Sequence, residues 1–201
     1  MKVGFLGMGS MAQAMIEGFL KSGALEGRDI YASGGNYERL EKNCRRFGCI
    51  PCRTNEDVIE HSDMVVISLK AAMVADVIRP LAESMKGRIV VSIAAGYTFD
   101  TFRDILGQDV HYICTIPNTP VSVGEGITVF EDRHSLEKEE YEAFYTLFSA
   151  IGLVQPVETG LVGTAGTVAG CGPAFASMFL EALGDAGVKY GLPRRTAYEL
   201  A

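Results

Sequence analysis

Short apolar runs and longer segments with helical spacing alternate along most of the chain. The apolar runs are not interrupted by regularly placed polar residues, which is typical of strands buried on both faces of a parallel sheet. We predict that residues 1–158 form an α/β domain with a Rossmann-like, doubly wound and mostly parallel sheet. The predicted strands lie near residues 2–6, 29–32, 49–52, 63–69, 88–93, 110–116, 127–130 and 153–157.

Between these strands, apolar residues at helical spacing predict the covering helices. Helices are expected over residues 36–47 and 72–84, and Pro80 should bend or shorten the second. Ser135 is expected to cap a later helix, whose aromatic side chains form one apolar stripe for the core. That stripe consists of Tyr141, Phe144, Tyr145 and Phe148.

The character of the chain changes after the last predicted strand. A long helix is predicted over residues 172–190, and its narrow charged stripe requires burial on most sides. Gly191-Leu192-Pro193 ends that helix and starts another. We therefore expect residues 159–201 to open an all-helical second domain. Its packing would be completed by a continuation of the chain or by a second copy of the protein.

Composition and charge narrow the class of protein. Of the 201 residues 48% are hydrophobic, which is enough for a sizeable core. A net charge of -7 and the lack of any long Lys/Arg run argue against a nucleic-acid surface. No segment suits a membrane span, and the apolar N-terminal run belongs to a glycine motif rather than to a signal peptide. Five cysteines, an odd number, suit a reducing compartment, so we expect a cytoplasmic protein.

The strongest chemical signal is Gly7-x-Gly9-x-x-Ala12, between the first strand and the first helix. In dinucleotide sites the glycines let the backbone approach a pyrophosphate, and the helix N-terminus supplies N–H donors. A tight turn that needs glycine only for its backbone angles is the alternative interpretation. The position of the motif, after an apolar strand and before a helix, favours dinucleotide binding.

Later strand ends carry residues suited to the same site. Lys70 follows the fourth strand, Ala94-Ala95 follows the fifth, and Asn118-Thr119 lies in a proline-framed loop after the sixth. Because parallel strands end at one edge of a sheet, these residues should gather beside Gly9. A surface lysine and a simple turn are the alternatives for Lys70 and for the alanines.

The end of the second strand bears on the choice of cofactor. An NAD site usually places Asp or Glu there to bind the ribose 2′-hydroxyl, whereas NADP needs donors and no competing carboxylate. This chain has Ser33, Gly34-Gly35 and Asn36, followed by Arg39 and Lys42 in the next helix. We therefore predict NADPH as the cofactor, with NADH accepted. A loose glycine loop beside a solvated arginine is the alternative.

Cys49 and Cys52 have the C-x-x-C spacing of many zinc and redox sites. A zinc site would need a second pair of ligands, which Cys44 and His61 do not supply at matching spacing. A redox site would need the motif at a helix start, whereas this segment is a predicted strand. We interpret these cysteines as buried structural residues and predict no metal site.

With these residues in view, the chain resembles pyrroline-5-carboxylate reductases over essentially its whole length. The segments that carry the resemblance are Gly4–Ala12 (GFLGMGSMA), Ser92–Gly96 (SIAAG), Pro117–Pro120 (PNTP), Gly170–Phe175 (GCGPAF) and Glu181–Arg194 (EALGDAGVKYGLPR). The resemblance implies hydride transfer from NAD(P)H to the C=N carbon of 1-pyrroline-5-carboxylate, a small cyclic imine, to give proline. It also implies a homodimer or higher homo-oligomer formed through the C-terminal helices.

The resemblance also implies which residues bind the cofactor, and it assigns no catalytic residue and no metal. The implied pyrophosphate, adenosine-side and nicotinamide-side residues are, in that order, Gly7, Met8, Gly9, Ser10 and Met11; Ser33 and Asn55; and Ser68, Leu69, Lys70, Ala94 and Ala95. We place Asn118 and Thr119 on the substrate side. The Gly-Gly-Thr stretch that grips the substrate carboxylate in the family is not among these 201 residues, and we expect it in a continuation of the chain.

Two other departures from the family pattern lie before and within the GCGPAF segment. Hydroxyl groups usual in the family are missing at Ala169, Cys171 and Phe175, and acidic residues usual just before them are replaced at Thr159-Gly160 and Gly163. These changes keep two alternatives open. One is a dinucleotide-binding accessory protein of the late-competence type without reductase activity.

The other alternative is a relative of the β-hydroxyacid dehydrogenases, which share the dinucleotide domain. Such an enzyme would need a catalytic lysine on the long helix of the second domain. The lysine available there, Lys189, lies close to the end of that predicted helix. Its position counts against the dehydrogenase alternative.

Overall fold

The computed structural model describes the chain from Met1 to Ala201, with eight strands and eight α-helices joined by loops and short 3-10 turns. The strands are β1 (Val3–Leu6), β2 (Ile30–Ser33), β3 (Ile50–Pro51), β4 (Met64–Ile67), β5 (Ile89–Ser92), β6 (His111–Pro117), β7 (Gly126–Glu131) and β8 (Gly152–Val157). The helices are α1 (Ser10–Ser22), α2 (Tyr37–Phe47), α3 (Asn55–Glu60), α4 (Ala71–Ile78), α5 (Phe99–Leu106), α6 (Lys138–Ser149), α7 (Val162–Lys189) and α8 (Arg194–Leu200).

All eight strands form one sheet in the order β3-β2-β1-β4-β5-β6-β7-β8. Strands β1 to β6 run parallel, β7 is antiparallel to β6, and β8 pairs parallel with β7 at the sheet edge. The order reverses between β1 and β4, which is the switch point where doubly wound sheets bind ligands. The predicted Rossmann-like fold is confirmed.

Alternate residues of the central strands enter two apolar layers, one on each face of the sheet. In β4, Met64 and Val66 join one layer, whereas Val65 and Ile67 join the other, and all four are fully buried. Helices α1, α2 and α6 contribute to the first layer, and α3, α4 and α5 contribute to the second. The uninterrupted apolar runs therefore correspond to strands covered on both faces.

The observed bounds of α4 and α6 differ from the predicted helix boundaries. Pro80 shortens the helix expected over 72–84, since α4 ends at Ile78 and a 3-10 turn follows. The capping role predicted for Ser135 is wrong, because α6 begins at Lys138 and Glu137 caps it. The Ser135 hydroxyl instead accepts from the backbone N–H of Tyr112 at 2.8 Å, which ties this loop to β6.

The long helix α7 begins at Val162 rather than at Gly172, and it contains Pro173 in its interior. Proline is favoured in a first helical turn, which is where a helix starting at Gly172 would have placed Pro173. Within a helix proline leaves the carbonyl four residues earlier without a donor. Here a side chain from another element supplies that donor, as described below, so the helix continues through the proline.

The surface of α7 is strongly apolar and largely open. Its exposed apolar side chains are Val168, Phe175, Met178, Phe179, Leu180 and Leu183. The last strand ends at Val157, shortly before this helix begins, and a domain boundary at residue 158 stays a prediction. None of the helices combines the length and apolarity needed to cross a membrane.

Candidate dinucleotide and active site

Gly7 and Gly9, in the turn between β1 and α1, differ in how much space the protein leaves for a side chain. Gly7 has a φ of 101°, and a Cβ there would lie 2.7 Å from the carbonyl oxygen of Ser68. Only glycine fits that position, whatever the ligand. A Cβ on Gly9 would meet no protein atom within 4 Å, so the space beside Gly9 is open. Gly9 also precedes α1, whose N-terminus has no capping side chain.

A cavity of about 300 Å³ opens beside this turn, and a second of about 380 Å³ adjoins it. Both are lined by Gly7, Gly34, Gly35, Leu69 and Met73. The predicted residues Met8, Gly9, Ser68 and Lys70 line the first cavity, and Ser33 and Asn55 line the second. One continuous groove thus runs across the switch point of the sheet.

At one end of this groove, Ser33 and Asn55 are joined to each other. The Ser33 hydroxyl donates to Oδ1 of Asn55 at 2.6 Å, which connects the end of β2 to the first residue of α3. Thr54 caps α3 through a bond from the Asp57 backbone N–H, so the position of Asn55 is well defined. The Asn55 amide nitrogen remains available to a ligand in the second cavity.

Basic and amide side chains gather on the wall of the groove. Arg39 and Asn43 line the first cavity, and the Nδ2 atom of Asn43 is buried without a hydrogen-bond partner. Arg53 lines the second cavity, with its guanidinium 4.3 Å from the ring centre of Tyr37. A buried unsatisfied donor in one cavity and a guanidinium group in each of the two suit an anionic ligand that supplies acceptors.

Ser68 holds the opposite wall together. Its hydroxyl is directed at the carbonyl oxygens of Gly7, at 2.7 Å, and of Leu6, at 3.0 Å. This side chain therefore fixes the glycine turn against the end of β4. Lys70 follows as the N-cap residue of α4 and is exposed beside the first cavity.

Ala94 and Ala95 belong to the same edge of the sheet, although they line neither cavity. Ser92 is aligned with Ile67 in the parallel pair, so the loop after β5 lies beside the loop after β4. The two loops are also joined directly, because the Tyr97 hydroxyl donates to the carbonyl of Ala71 at 2.9 Å. Ser10 and Met11 contribute the first turn of α1 and likewise do not line the cavities.

Asn118 is buried, and its side chain is committed to the protein. Its Nδ2 donates to the carbonyl of Ala169 at 2.9 Å, and its Oδ1 accepts from the N–H of Ile127 at 2.8 Å. Its side chain is therefore buried and bonded within the protein, and its place on the substrate side stays a prediction. Thr119 is exposed at the start of a 3-10 turn, and its substrate-side role stays a prediction.

No three His, Cys, Asp or Glu side chains converge in a metal-binding arrangement. Cys44, Cys49 and Cys52 are all buried free thiols. A hydrogen bond with Cys49, together with burial, raises the pKa of Cys44, and burial raises the pKa of Cys52. The C-x-x-C segment is thus buried in the apolar layers, as its interpretation as structural cysteines requires.

Comparisons with known proteins identify the family. Residues 2–96 match a family model described as NADP oxidoreductase coenzyme F420-dependent, and residues 160–201 match one described as pyrroline-5-carboxylate reductase dimerisation. A pyrroline-5-carboxylate reductase of Treponema pallidum is 36% identical over 205 residues, covering 100% of this chain and 78% of that protein. The chain belongs to the pyrroline-5-carboxylate reductase family. Pyrroline-5-carboxylate reductase 2 of Bacillus subtilis is 32% identical, with 99% of this chain and 72% of that protein covered.

Solved structures of pyrroline-5-carboxylate reductases have the same fold. The Streptococcus pyogenes structure aligns with a TM-score of 0.87 and 28% identity, covering 100% of this chain and 74% of that one. The Plasmodium falciparum structure with NADP bound has a TM-score of 0.89 at 24% identity, covering 99% of this chain and 73% of that one. The resemblance found in the sequence is confirmed.

Sequence reasoning on this reductase missed Asn43 and Arg53. Signals for both were available. Asn43 lies four residues after Arg39, on the same face of α2. Arg53 lies two residues after β3, whose carboxyl end is at the same edge of the sheet as that of β1.

Proposed function

We propose that this protein is the reductase that converts 1-pyrroline-5-carboxylate to L-proline with NAD(P)H. The observation that carries the proposal is identity to reductases of this name along the whole chain, from the glycine turn through the dimerisation segment. The same identity favours the reductase over a late-competence-type accessory protein. Lys189 is the last residue of α7 and lines neither cavity, which counts against dehydrogenase chemistry on that helix.

The groove fits a dinucleotide on the evidence of its own residues. The open space at Gly9 leaves room for a ligand, and the uncapped N-terminus of α1 and the unsatisfied Asn43 amide offer donors that suit an anionic partner with acceptor atoms. The backbone of Gly7 to Met11 would hold the pyrophosphate, and Asn55 would orient the adenosine side. Lys70 and the alanines of the β5 loop would flank the nicotinamide.

The reaction itself demands little beyond positioning. A bound reduced nicotinamide supplies the hydride. The imine accepts it at the C=N carbon, and the ring nitrogen keeps the proton that it already carries in the iminium form, which balances the product amine. The protein must therefore orient the imine, exclude water and bind the carboxylate of the substrate. No side chain among these residues is assigned to that carboxylate.

We further propose that NADPH is the preferred cofactor. The end of β2 carries Ser33, Gly34 and Gly35 and no carboxylate, and the one carboxylate residue that lines the groove, Glu56, lies on α3 next to Asn55. The donors beside the end of β2 are Arg39, Asn43 and Arg53, and guanidinium groups bind phosphate through charge-assisted hydrogen bonds. NADH would bind the same groove without these contacts.

We also propose a homodimer, or a higher oligomer built from it, through α7 and α8. Phe175, Met178 and Phe179 are each about two-thirds exposed, at 66%, 65% and 65%, which is unusual for large apolar side chains on one helix. The match of residues 160–201 to a dimerisation segment supports the proposal that a second copy of the protein packs against these exposed side chains. The free thiols and the charge of -7 support the cytoplasm as the place of action and argue against nucleic-acid partners.

The test is a direct assay on the full-length protein. Pyrroline-5-carboxylate should cause oxidation of NADPH, measured by the loss of reduced-nicotinamide absorbance, with an equal amount of L-proline formed. Parallel titrations with NADH measure the cofactor preference. Reactions without imine, and with a Gly9→Val variant, serve as controls. NADPH binding without any imine-dependent oxidation would contradict the proposal and favour the accessory alternative.

A further inference from the structure

Glu131, the last residue of β7, is the one charged residue in the chain that is fully buried, at 0% exposure. A buried carboxylate is costly unless hydrogen bonds compensate for its lost hydration. Both of its oxygens have such partners. The backbone N–H of Phe99 donates to Oε2 at 2.6 Å, and the hydroxyl of Thr159 donates to Oε1 at 2.6 Å.

The first partner lies at the end of the β5 loop. Phe99 is the first residue of α5, and the loop of residues 93–98 connects β5 to it. The amide that Glu131 holds is thus at a helix N-terminus, where a negative charge is favoured. Tyr112 holds the same residue from the other side, since its hydroxyl donates to the carbonyl of Phe99 at 2.8 Å.

The second partner lies at the start of the helical segment. Thr159 opens the 3-10 turn Thr159–Leu161, which leads directly into α7 at Val162. Residues 99 and 159 are far apart in the sequence, yet one carboxylate is bonded to both of them. The cofactor-side loop and the dimerisation helix are therefore held to a single buried group.

We propose that Glu131 is a positioning residue that sets the β5 loop, with Ala94 and Ala95, relative to the start of α7. The inference rests on the proposed function for the role of that loop at the nicotinamide. Hydride transfer is sensitive to small displacements of the reacting groups, whereas dinucleotide affinity depends mainly on the remote phosphate and adenosine contacts. Loss of the Glu131 bonds should consequently affect kcat more than cofactor binding.

Two substitutions in the full-length protein test the link from its two sides. Glu131→Gln keeps the size of the side chain but removes its negative charge, so the bonds to Phe99 and Thr159 lose their charge assistance and become weaker neutral bonds. Thr159→Val removes the other donor at constant shape. Thr167→Val is the matched control, because the Thr167 hydroxyl donates only within α7, to the carbonyl of Gly163. Thr159→Ser is the conservative variant that retains the hydroxyl.

In Glu131→Gln and in Thr159→Val we expect kcat to fall about tenfold, while the KM for NADPH changes less than about twofold. Amide hydrogen exchange over residues 95–102 should be about tenfold faster in both variants. Thr159→Ser should restore the wild-type values, and Thr167→Val should leave the exchange of that loop unchanged. A role in stability alone would lower the melting temperature and leave kcat per folded subunit unaltered.

The hydrogen-exchange measurement tests the role of Glu131 independently of catalysis. If the wild-type protein has no reductase activity, the proposed function fails, but the exchange rates still test the inference. Unchanged amide exchange over residues 95–102 in Thr159→Val overturns the inference. If Glu131→Gln does not fold, the result for Thr159→Val is sufficient to test it. In an active enzyme, an unchanged kcat in both variants also overturns it.

Discussion

The side-chain amide of Asn118 donates to the carbonyl oxygen of Ala169, 2.9 Å away in the first third of α7. In an uninterrupted helix that oxygen would accept from the backbone N–H of residue 173, and Pro173 has none. A side chain from the loop after β6 therefore replaces the missing helical donor. The same bond fastens the sheet to the long helix.

We expect Asn118→Ala to lower the free energy of unfolding by about 2–4 kcal/mol, because it leaves the Ala169 carbonyl and the Ile127 N–H without a hydrogen-bond partner. Urea denaturation measures the loss. The informative control is Pro173→Ala, which restores the helical N–H and should make the Asn118→Ala change less costly. Equal losses in the two backgrounds would contradict this account of the bond.

Gly9→Val should abolish NADPH binding while leaving the fold intact. The space beside Gly9 is free of protein atoms, and its φ of -77° is open to any residue, so valine is accommodated until a pyrophosphate approaches. Calorimetric titration with NADPH and a thermal melt test both parts of this prediction. Gly7→Ala is the contrasting variant, since strain and the close Ser68 carbonyl should destabilise the protein by about 2 kcal/mol or more. Wild-type NADPH affinity in Gly9→Val would refute the placement of the phosphates.

Arg39→Ala should raise the KM for NADPH about ten- to hundredfold and change the KM for NADH little, because a charge-assisted bond to the 2′-phosphate is lost. Steady-state kinetics with both cofactors measure the preference. Arg45→Ala is the matched control, since Arg45 lies on the same helix and lines neither cavity. Equal effects of Arg39→Ala on both cofactors would count against the proposed phosphate contact.

Phe179→Asp should convert the oligomer to monomers, because it places a charge on the apolar face of α7 that the second copy would cover. Light scattering coupled to size-exclusion chromatography measures the mass. Tyr145→Asp offers a control at an exposed aromatic residue on α6, outside the proposed interface, and it should leave the mass unchanged. An oligomer that withstands Phe179→Asp would place the subunit contact elsewhere.

Several features of the site could be predicted because their signals are local. The glycine spacing at Gly7 and Gly9 and the small residues after β2 and β5 each lie within a few residues of one another. Parallel strand order then brings these strand ends to one edge by a general rule. The side-chain partners of Asn118 and Glu131 had no such signal, since residues distant in the sequence supply them. For Asn118 in particular, the sequence does not indicate that its side chain bonds to Ala169 and Ile127.

The amino-acid sequence alone determined the doubly wound sheet and the dinucleotide turn, because apolar periodicity and glycine placement act through short-range geometry. It also indicated that the apolar surface of the C-terminal helices must pack against a further part of the protein or a second copy. Only the tertiary structure decided that the φ of Gly7 and the nearby Ser68 carbonyl require glycine, that the space beside Gly9 is open, and that α7 continues through Pro173. It alone decided that Glu131 joins the β5 loop to α7. The physical reason is that buried polar groups are satisfied by whichever donors the folded chain brings within hydrogen-bonding distance, and sequence spacing does not specify those pairs.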